Sequence, residues 1–404
     1  MIKSFFTGCL SLVFIYSSAP AQDTTSYPVS AYRKNRNTKA VLPRFFIDTH
    51  NDILSSQQLS DADLGKLQQT GNFDLVRARR GGLSAQVFSV WCGEDYGKGS
   101  AFAQANREID SLYALIRRNP GKMVLVHNAW QLENAYRQQR FAAMIGVEGG
   151  HMVEDRLDYI DSLAARGMCY LTLTWNNSTS WATSARDESI QKEKLPFLGL
   201  NEQGKKIVRH LNELGVMVDV SHVGEQTFND VLATSTKPVI ASHSSVYSLN
   251  PHRRNLKDAQ LKALAKNGGV VFVNFYSGFI DPAYEEKEQA FLAAHRKELD
   301  SLRPIYKDFA EDQLNRIYKK EAELRRPPLS MLIKHIDYLV KLIGPEHVGI
   351  GADFDGSESY PKGMDSVADY PKIVAALEKL GYSQKNIDLI TGGNFLRVLK
   401  ANKD

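Results

Sequence analysis

His50 and Asp52 flank a single residue in DTHND, where the apolar run FFIDTH (residues 45–50) ends. Residues two apart on an extended strand point to the same side, so this imidazole and carboxylate can grip one ion together. Glu148 ends a second run, AAMIGVE (142–148), and precedes Gly149 and Gly150, where the backbone can turn tightly and approach a ligand. Its two oxygens let it bridge two metals. His222 and His243 close the runs VMVDVSH (216–222) and PVIASH (238–243), and neutral imidazole is a common zinc ligand. Each residue taken singly reads as a hydrogen-bonded core group. Taken together, they are ionisable groups at the ends of four runs, costly to bury unless paired or metal-bound. Five ligands with a bridging Glu overfill one tetrahedral site and suit two Zn2+ ions roughly 3.5–4 Å apart with a shared water.

Asp353 follows the apolar run HVGIGAD (347–353) directly and is expected to handle the proton that passes from water to a leaving amine. Asp355, two residues on, is its rival. Arg254, in the loop SLNPHRRN after His243, has a planar fork suited to a substrate carboxylate; a surface salt bridge is the alternative, and Arg253 beside it shares the ambiguity.

These residues need a scaffold that brings them together. From residue 45 onward the chain alternates short β-branched or apolar runs with longer helical patterns, the signature of βα units around a parallel sheet. Eight runs read as strands: the five above, LSAQVFSVW (83–91), CYLTLTW (169–175) and VVFVNFY (270–276). Helical patterns lie between them, for example at 201–214 and 331–343. Eight such units make an α/β fold, a (β/α)8 TIM-type barrel whose active site lies where the strands end; an open doubly wound sheet is the alternative. His50, Glu148, Trp175, His222, His243, Tyr276 and Asp353 all fall at those ends. The charged stretch 281–329 reads as a solvated helical insertion between strands seven and eight, or as a lid or dimer arm.

The whole chain has 404 residues, 43% hydrophobic and 24% charged, with a net charge of +4, which describes a globular protein and excludes disorder and a polytopic membrane protein. That charge is too small and dispersed for a nucleic-acid partner. Residues 1–21, one Lys then an apolar run and Ala19-Pro20-Ala21, read as an export signal, and 22–41 as a mobile leader before a single barrel domain over 42–404. The mature protein is therefore expected to be periplasmic or secreted, without a membrane anchor. Beyond the signal only Cys92 and Cys169 remain, expected at opposite ends of the barrel, buried and unpaired.

The segments DTHND (48–52), GVEGGH (146–151), YLTLTWNN (170–177), VDVSHV (218–223), ASHSSVYSLNPHRRN (241–255), GIGADFDG (349–356) and GGNFLRV (392–398) resemble the membrane (renal) dipeptidase family of zinc peptidases, in order and over nearly the whole mature chain. The resemblance implies a (β/α)8 barrel with two zinc ions that hydrolyses dipeptides, tolerates a D-residue in second position and is often a homodimer. It implies that His50 and Asp52 bind one zinc, His222 and His243 the other, and Glu148 both. Asp353 then matches the proton-handling aspartate and Arg254 the binder of the substrate's C-terminal carboxylate. Two features depart from the family: Trp175 stands where well-studied animal members carry a His thought to stabilise the tetrahedral intermediate, and those members lack the 281–329 insertion. Trp175 is thus expected to touch substrate, unless Asn176 or Asn177 supplies the missing donor.

The reading that follows is an exported binuclear zinc dipeptidase for L,L and L,D dipeptides. Two rivals stay open: the same site acting on a lactam, lactone or cyclic amide, and a metal-bound binding protein without turnover.

Overall fold

In the computed structural model, all eight runs contain a strand, generally shorter than the run. The structure describes residues 44–55, 63–307 and 310–403. These lie in one unit, Leu42–Asp404; the expected signal and leader fall outside the described residues. The strands are β1 (Ile47–Asp48), β2 (Ala85–Trp91), β3 (Met123–Leu125), β4 (Phe141–Glu148), β5 (Met168–Thr172), β6 (Met217–Asp219), β7 (Ile240–Ser244), β8 (Val270–Val273) and β9 (Val348–Ile350). All pair in parallel, in the order β1-β2-β4-β5-β6-β7-β8-β9. The Thr49 amide donates to the Ile350 carbonyl (3.1 Å) and the Asp353 amide to the His50 carbonyl (3.2 Å), joining the last strand to the first. The result is a (β/α)8 barrel, as expected. The strand not foreseen is β3, three residues that pair with Phe141, Ala142 and Ala143 at the start of β4.

Parallel strands covered on both faces read as continuous apolar runs, and period-two alternation divides their side chains between two cores. Ala85, Val87, Ala142, Met144, Tyr170, Met217, Ile240, Val270 and Phe272 form the inner one. Phe395, Val398 and Leu399 of the helix Asn394–Lys403 join it, so this last helix plugs one end of the barrel and leaves the other for chemistry. Their neighbours along the strands, among them Phe88, Val90, Ile145, Val147, Val218 and Val271, pack outward against the helices. Cys92 and Cys169 are free and buried, and burial pushes the Cys169 thiol up to about 12.

Between β8 and β9 the expected insertion forms four helices, Tyr284–Ala294, Arg296–Tyr306, Ala310–Ile317 and Lys319–Arg325. They enclose a small core of their own, Phe291, Leu299, Ala310 and Leu314. Arg325 pairs with Glu288 beside it, both buried. Among the described residues no helix is long and apolar enough to cross a membrane.

Candidate active site

The residues picked out for chemistry converge at the mouth opposite the C-terminal helix. His222 and Asp353 sit in the left-handed region (φ 65° and 63°), a conformation that costs a non-glycine residue of order 1–3 kcal/mol and is held only where the surroundings dictate it. Each stands just past the end of its strand, where the turned backbone redirects the side chain.

Around Glu148 the donors form two facing sets. Glu148 Oε2 lies 3.3 Å from His50 Nε2, which is also 3.3 Å from Asp52 Oδ2 and 3.8 Å from Asp353 Oδ1. Glu148 Oε1 lies 2.9 Å from His222 Nε2 and 3.3 Å from His243 Nε2, with those two nitrogens 3.0 Å apart. All six side chains are buried. One carboxylate thus presents a different oxygen to each set, the arrangement a bridging ligand needs. Two groups of ligand atoms are compact enough for one ion each, His50–Glu148–His243 and His50–Asp52–Asp353, so His50 belongs to both.

The electrostatics call for positive charge. Burial alone would depress the His50 imidazole, yet Tyr170, Asp52 and Glu148 outweigh it and push His50 well above its ordinary value. Burial, with Arg254 adding to it, pushes His222 down to about 3; burial and then His50 hold His243 well below the usual range, so both rings are neutral and able to offer a lone pair. Burial raises Asp353 to about 8, with Asp52 and Glu148 adding to it against His50. A proton on His50 Nε2 satisfies one of the facing oxygens; a divalent cation satisfies several donors at once. His50 Nε2 and Asp52 Oδ1 have no hydrogen-bond partner, and a mixed set of imidazole and carboxylate donors fits zinc.

Side chains overlooked in the sequence orient these residues. The Tyr170 hydroxyl donates to the Thr49 carbonyl (3.0 Å), so at 2.8 Å it accepts from His50 Nδ1 and leaves the Nε2 lone pair free. The Tyr170 ring fits because Gly146 has no side chain: a Cβ there would lie 2.0 Å from Tyr170 Cζ. On the other side Ser242 Oγ donates to Asp219 Oδ2 (2.6 Å) and accepts from His243 Nδ1 (2.8 Å), which fixes the same tautomer. Asn274 Nδ2 (2.8 Å) and Ser357 Oγ (3.1 Å) both donate to Asp353 Oδ2, which leaves Oδ1 toward the cluster. Only Gly146 inside an apolar run and Asp219 before a His carried a trace of this in the sequence.

Asp355 is turned away: Oδ1 accepts from the Asn72 amide (2.7 Å) and Oδ2 from Asn51 Nδ2 (3.2 Å), so it braces the loops, whereas Asp353 Oδ1 faces the cluster. A cavity of about 1250 Å3 opens above the cluster, bounded by Trp175, Arg254, Tyr276 and the insertion residues Arg303, Glu311 and Arg316. The insertion is therefore a wall of the site, nearer to a lid than to a solvated excursion. Trp175 is half-buried, its ring edge-on to Trp91 (5.0 Å) and 6.2 Å from His222. Asn176 lines the cavity, whereas the buried Asn177 Oδ1 has no partner. Arg254 is 4% exposed and forms no ion pair among the described residues. One terminal nitrogen reaches the His243 carbonyl (3.2 Å), the other Ser244 Oγ (3.5 Å), and Nε is unpartnered. Burial lowers it to about 10, against the pull of Glu148 and Asp353, so it remains a cation. Arg253 is exposed at the cavity rim.

A parallel barrel with buried His and carboxylate ligands at its strand ends defines a metal-dependent hydrolase. The chain belongs to the membrane dipeptidase family (peptidase family M19), whose sequence model matches residues 16–404, and it is a metallo-dipeptidase. It is 32% identical over 373 residues to an uncharacterized dipeptidase of Schizosaccharomyces pombe, covering 88% of this chain and 79% of that one. The probable dipeptidase PvdM from Pseudomonas aeruginosa superposes with a TM-score of 0.73 at 25% identity, over 89% of this chain and 96% of its own. A metallopeptidase from Rhodobacter sphaeroides, liganded with a phosphinate mimic of the dipeptide L-Ala-D-Ala, shares the fold with a TM-score of 0.71 at 22% identity, over 89% and 99%.

Proposed function

We propose that this chain is an exported dipeptidase that works with two zinc ions on free dipeptides of L,L and L,D configuration. His50, Asp52, Glu148, His222 and His243 would hold the metal, with Glu148 between the two sets. When bound, the metal would supply Lewis-acid polarisation of the scissile carbonyl and a water of lowered pKa. Asp353 Oδ1, left free while Oδ2 is held by Asn274 and Ser357, is placed to accept a proton from the attacking water and return it to the departing amine. Trp175 walls the pocket, and its single N–H offers at most one hydrogen bond to the developing oxyanion.

The observation that carries this reading is Arg254, a buried guanidinium that pairs with no carboxylate among the described residues and lies 3.2 Å from the backbone carbonyl of His243. A buried cation needs an anion, and the free C-terminus of a dipeptide supplies one at a fixed distance from its only peptide bond. Lactams, lactones and cyclic amides offer no such carboxylate. The ligand of the Rhodobacter structure supports including L,D substrates. Homodimer formation and removal of residues 1–21 complete the proposal.

The test is a panel of L,L, L,D, C-terminally amidated and cyclic substrates assayed beside elemental analysis of the purified protein. About two zinc ions per chain and a strong preference for free dipeptides support it. Turnover of amides or cyclic substrates at equal efficiency, or full activity with one metal per chain, overturns it.

A further inference from the structure

Arg254 is fixed by the protein through one N–H of each terminal nitrogen, so it cannot offer its whole fork to a substrate carboxylate. A carboxylate has two oxygens and about four acceptor positions, and a buried one leaves few of them empty. The loop that carries Arg254 holds a further donor. The Arg254 backbone N–H donates to His252 Nδ1 (3.2 Å), so in the neutral ring the proton must sit on Nε2. The His252 backbone is pinned on both sides, its amide donating to the Asn250 carbonyl (2.7 Å) and its carbonyl accepting from the Asn255 amide (3.0 Å). Its ring lies tilted over Phe279 at 4.7 Å, and the Arg254 guanidinium carbon lies 5.3 Å from the same ring, so one aromatic floor supports both groups. His252 lines the cavity that Arg254, Trp175 and Asp353 line, and among the described residues its Nε2 meets no acceptor. Burial, then the charges of Arg253 and Arg254, push the ring down to about 3 and keep it in this neutral form throughout the physiological range.

We infer that His252 is a substrate-binding residue, its Nε2–H donating to the same C-terminal carboxylate that Arg254 pairs with. The inference rests on the dipeptide reading above and refines it: the anion is held in a cradle of one cation and one neutral donor above Phe279. A neutral donor adds directionality without a second positive charge in a buried pocket.

The zinc-loaded full chain tests this with His252→Phe, which keeps the ring stack and loses the donor, and His252→Gln, which places an amide N–H where Nε2 was. For a free dipeptide, His252→Phe is expected to raise KM about tenfold, the size of a hydrogen bond to a charged group, with kcat within about twofold. The C-terminal amide of the same dipeptide is expected to lose nothing further, and His252→Gln to recover most of the KM. Calorimetric binding of the free C-terminal amino acid, compared with its amide, reads the same contact without turnover. If His252→Phe is insoluble, His252→Ser replaces it, since its hydroxyl can still accept from the Arg254 amide but cannot reach the substrate. Equal losses on free and amidated substrates, or a Gln variant no better than Phe or Ser, overturn the inference. Arg254→Ala in the same panel separates the two levels: if it discriminates free from amidated substrates and His252 does not, only this inference falls. If neither discriminates, the dipeptide reading falls with it.

Discussion

Replacing Tyr170 by Phe removes one oxygen and should loosen the metal. That hydroxyl joins the His50 Nδ1–H and the Thr49 carbonyl, both fully buried. Without it the Nδ1–H has no acceptor, a cost of about 1–3 kcal/mol for an unmade buried hydrogen bond. The ring can escape that cost by moving its proton to Nε2, but Nε2 is the atom 3.3 Å from both Asp52 and Glu148, and a proton there competes with the cation. Either route weakens metal binding by about 10- to 100-fold, which at ~1.4 kcal/mol per tenfold matches the cost of the lost bond. The assay is competition for zinc against a chelator of known affinity, with bound metal and activity followed together. Gly146→Ala is the steric counterpart, since its new Cβ collides with the Tyr170 ring, and it should lose metal and thermal stability together. Ser242→Ala should weaken binding through His243 instead. If Tyr170→Phe holds zinc within about twofold of the parent, the tautomer of His50 is not set by Tyr170 and the reasoning is wrong.

Asp353→Asn should keep both metals and lower kcat by about 10²-fold, the usual size of an acid–base contribution, while Asp355→Asn should lower the melting temperature and leave kcat nearly unchanged. Trp175→His should retain the metals and shift kcat/KM across a dipeptide panel away from bulky apolar side chains; an unchanged ranking with unchanged kcat would show that Trp175 touches neither substrate nor transition state. His335 is buried, accepts from the Val246 amide (3.2 Å) and faces the Ile280 carbonyl (3.1 Å), and burial depresses it from 6.5 to about 4. The unfolded chain binds the extra proton first, so stability is complete above pH 6.5 and falls by about 3 kcal/mol as pH drops through 4. Denaturant unfolding between pH 7 and 4 should show that loss, and His335→Gln should flatten it.

The barrel was legible because its parallel strands are covered on both faces and so stand out as eight apolar runs. Run ends were not strand ends: CYLTLTW continues three residues beyond Thr172, because Leu173 stays buried and still bonds to the Asp219 carbonyl after the ladder has stopped. The three residues of β3 lie between helices and carry too little pattern to register. At the site, His50, Glu148, His222 and His243 declared themselves by ending apolar runs. Tyr170 and Asn274 did not, since a residue inside an apolar run looks like core until its partner, 120 and 79 positions away respectively, is known. His252 was passed over beside two arginines for a similar reason: its role depends on a backbone bond within the loop and on Phe279. The insertion was recognisable as charged and helical, but which surface it covers depends on tertiary packing alone.

The four-helix insertion has a hydrophobic cluster separate from both barrel cores, yet it supplies one wall of the cavity. Evolution can therefore treat the two halves of the pocket as separate inheritances. Drift within Phe291, Leu299, Ala310 and Leu314 reshapes the wall without touching the strands that align the ligands, so new substrate preferences can be sampled at little risk to the reaction itself. A graft of this segment from one relative onto another would be the laboratory version of the same freedom, transferring selectivity while the recipient keeps its own chemistry.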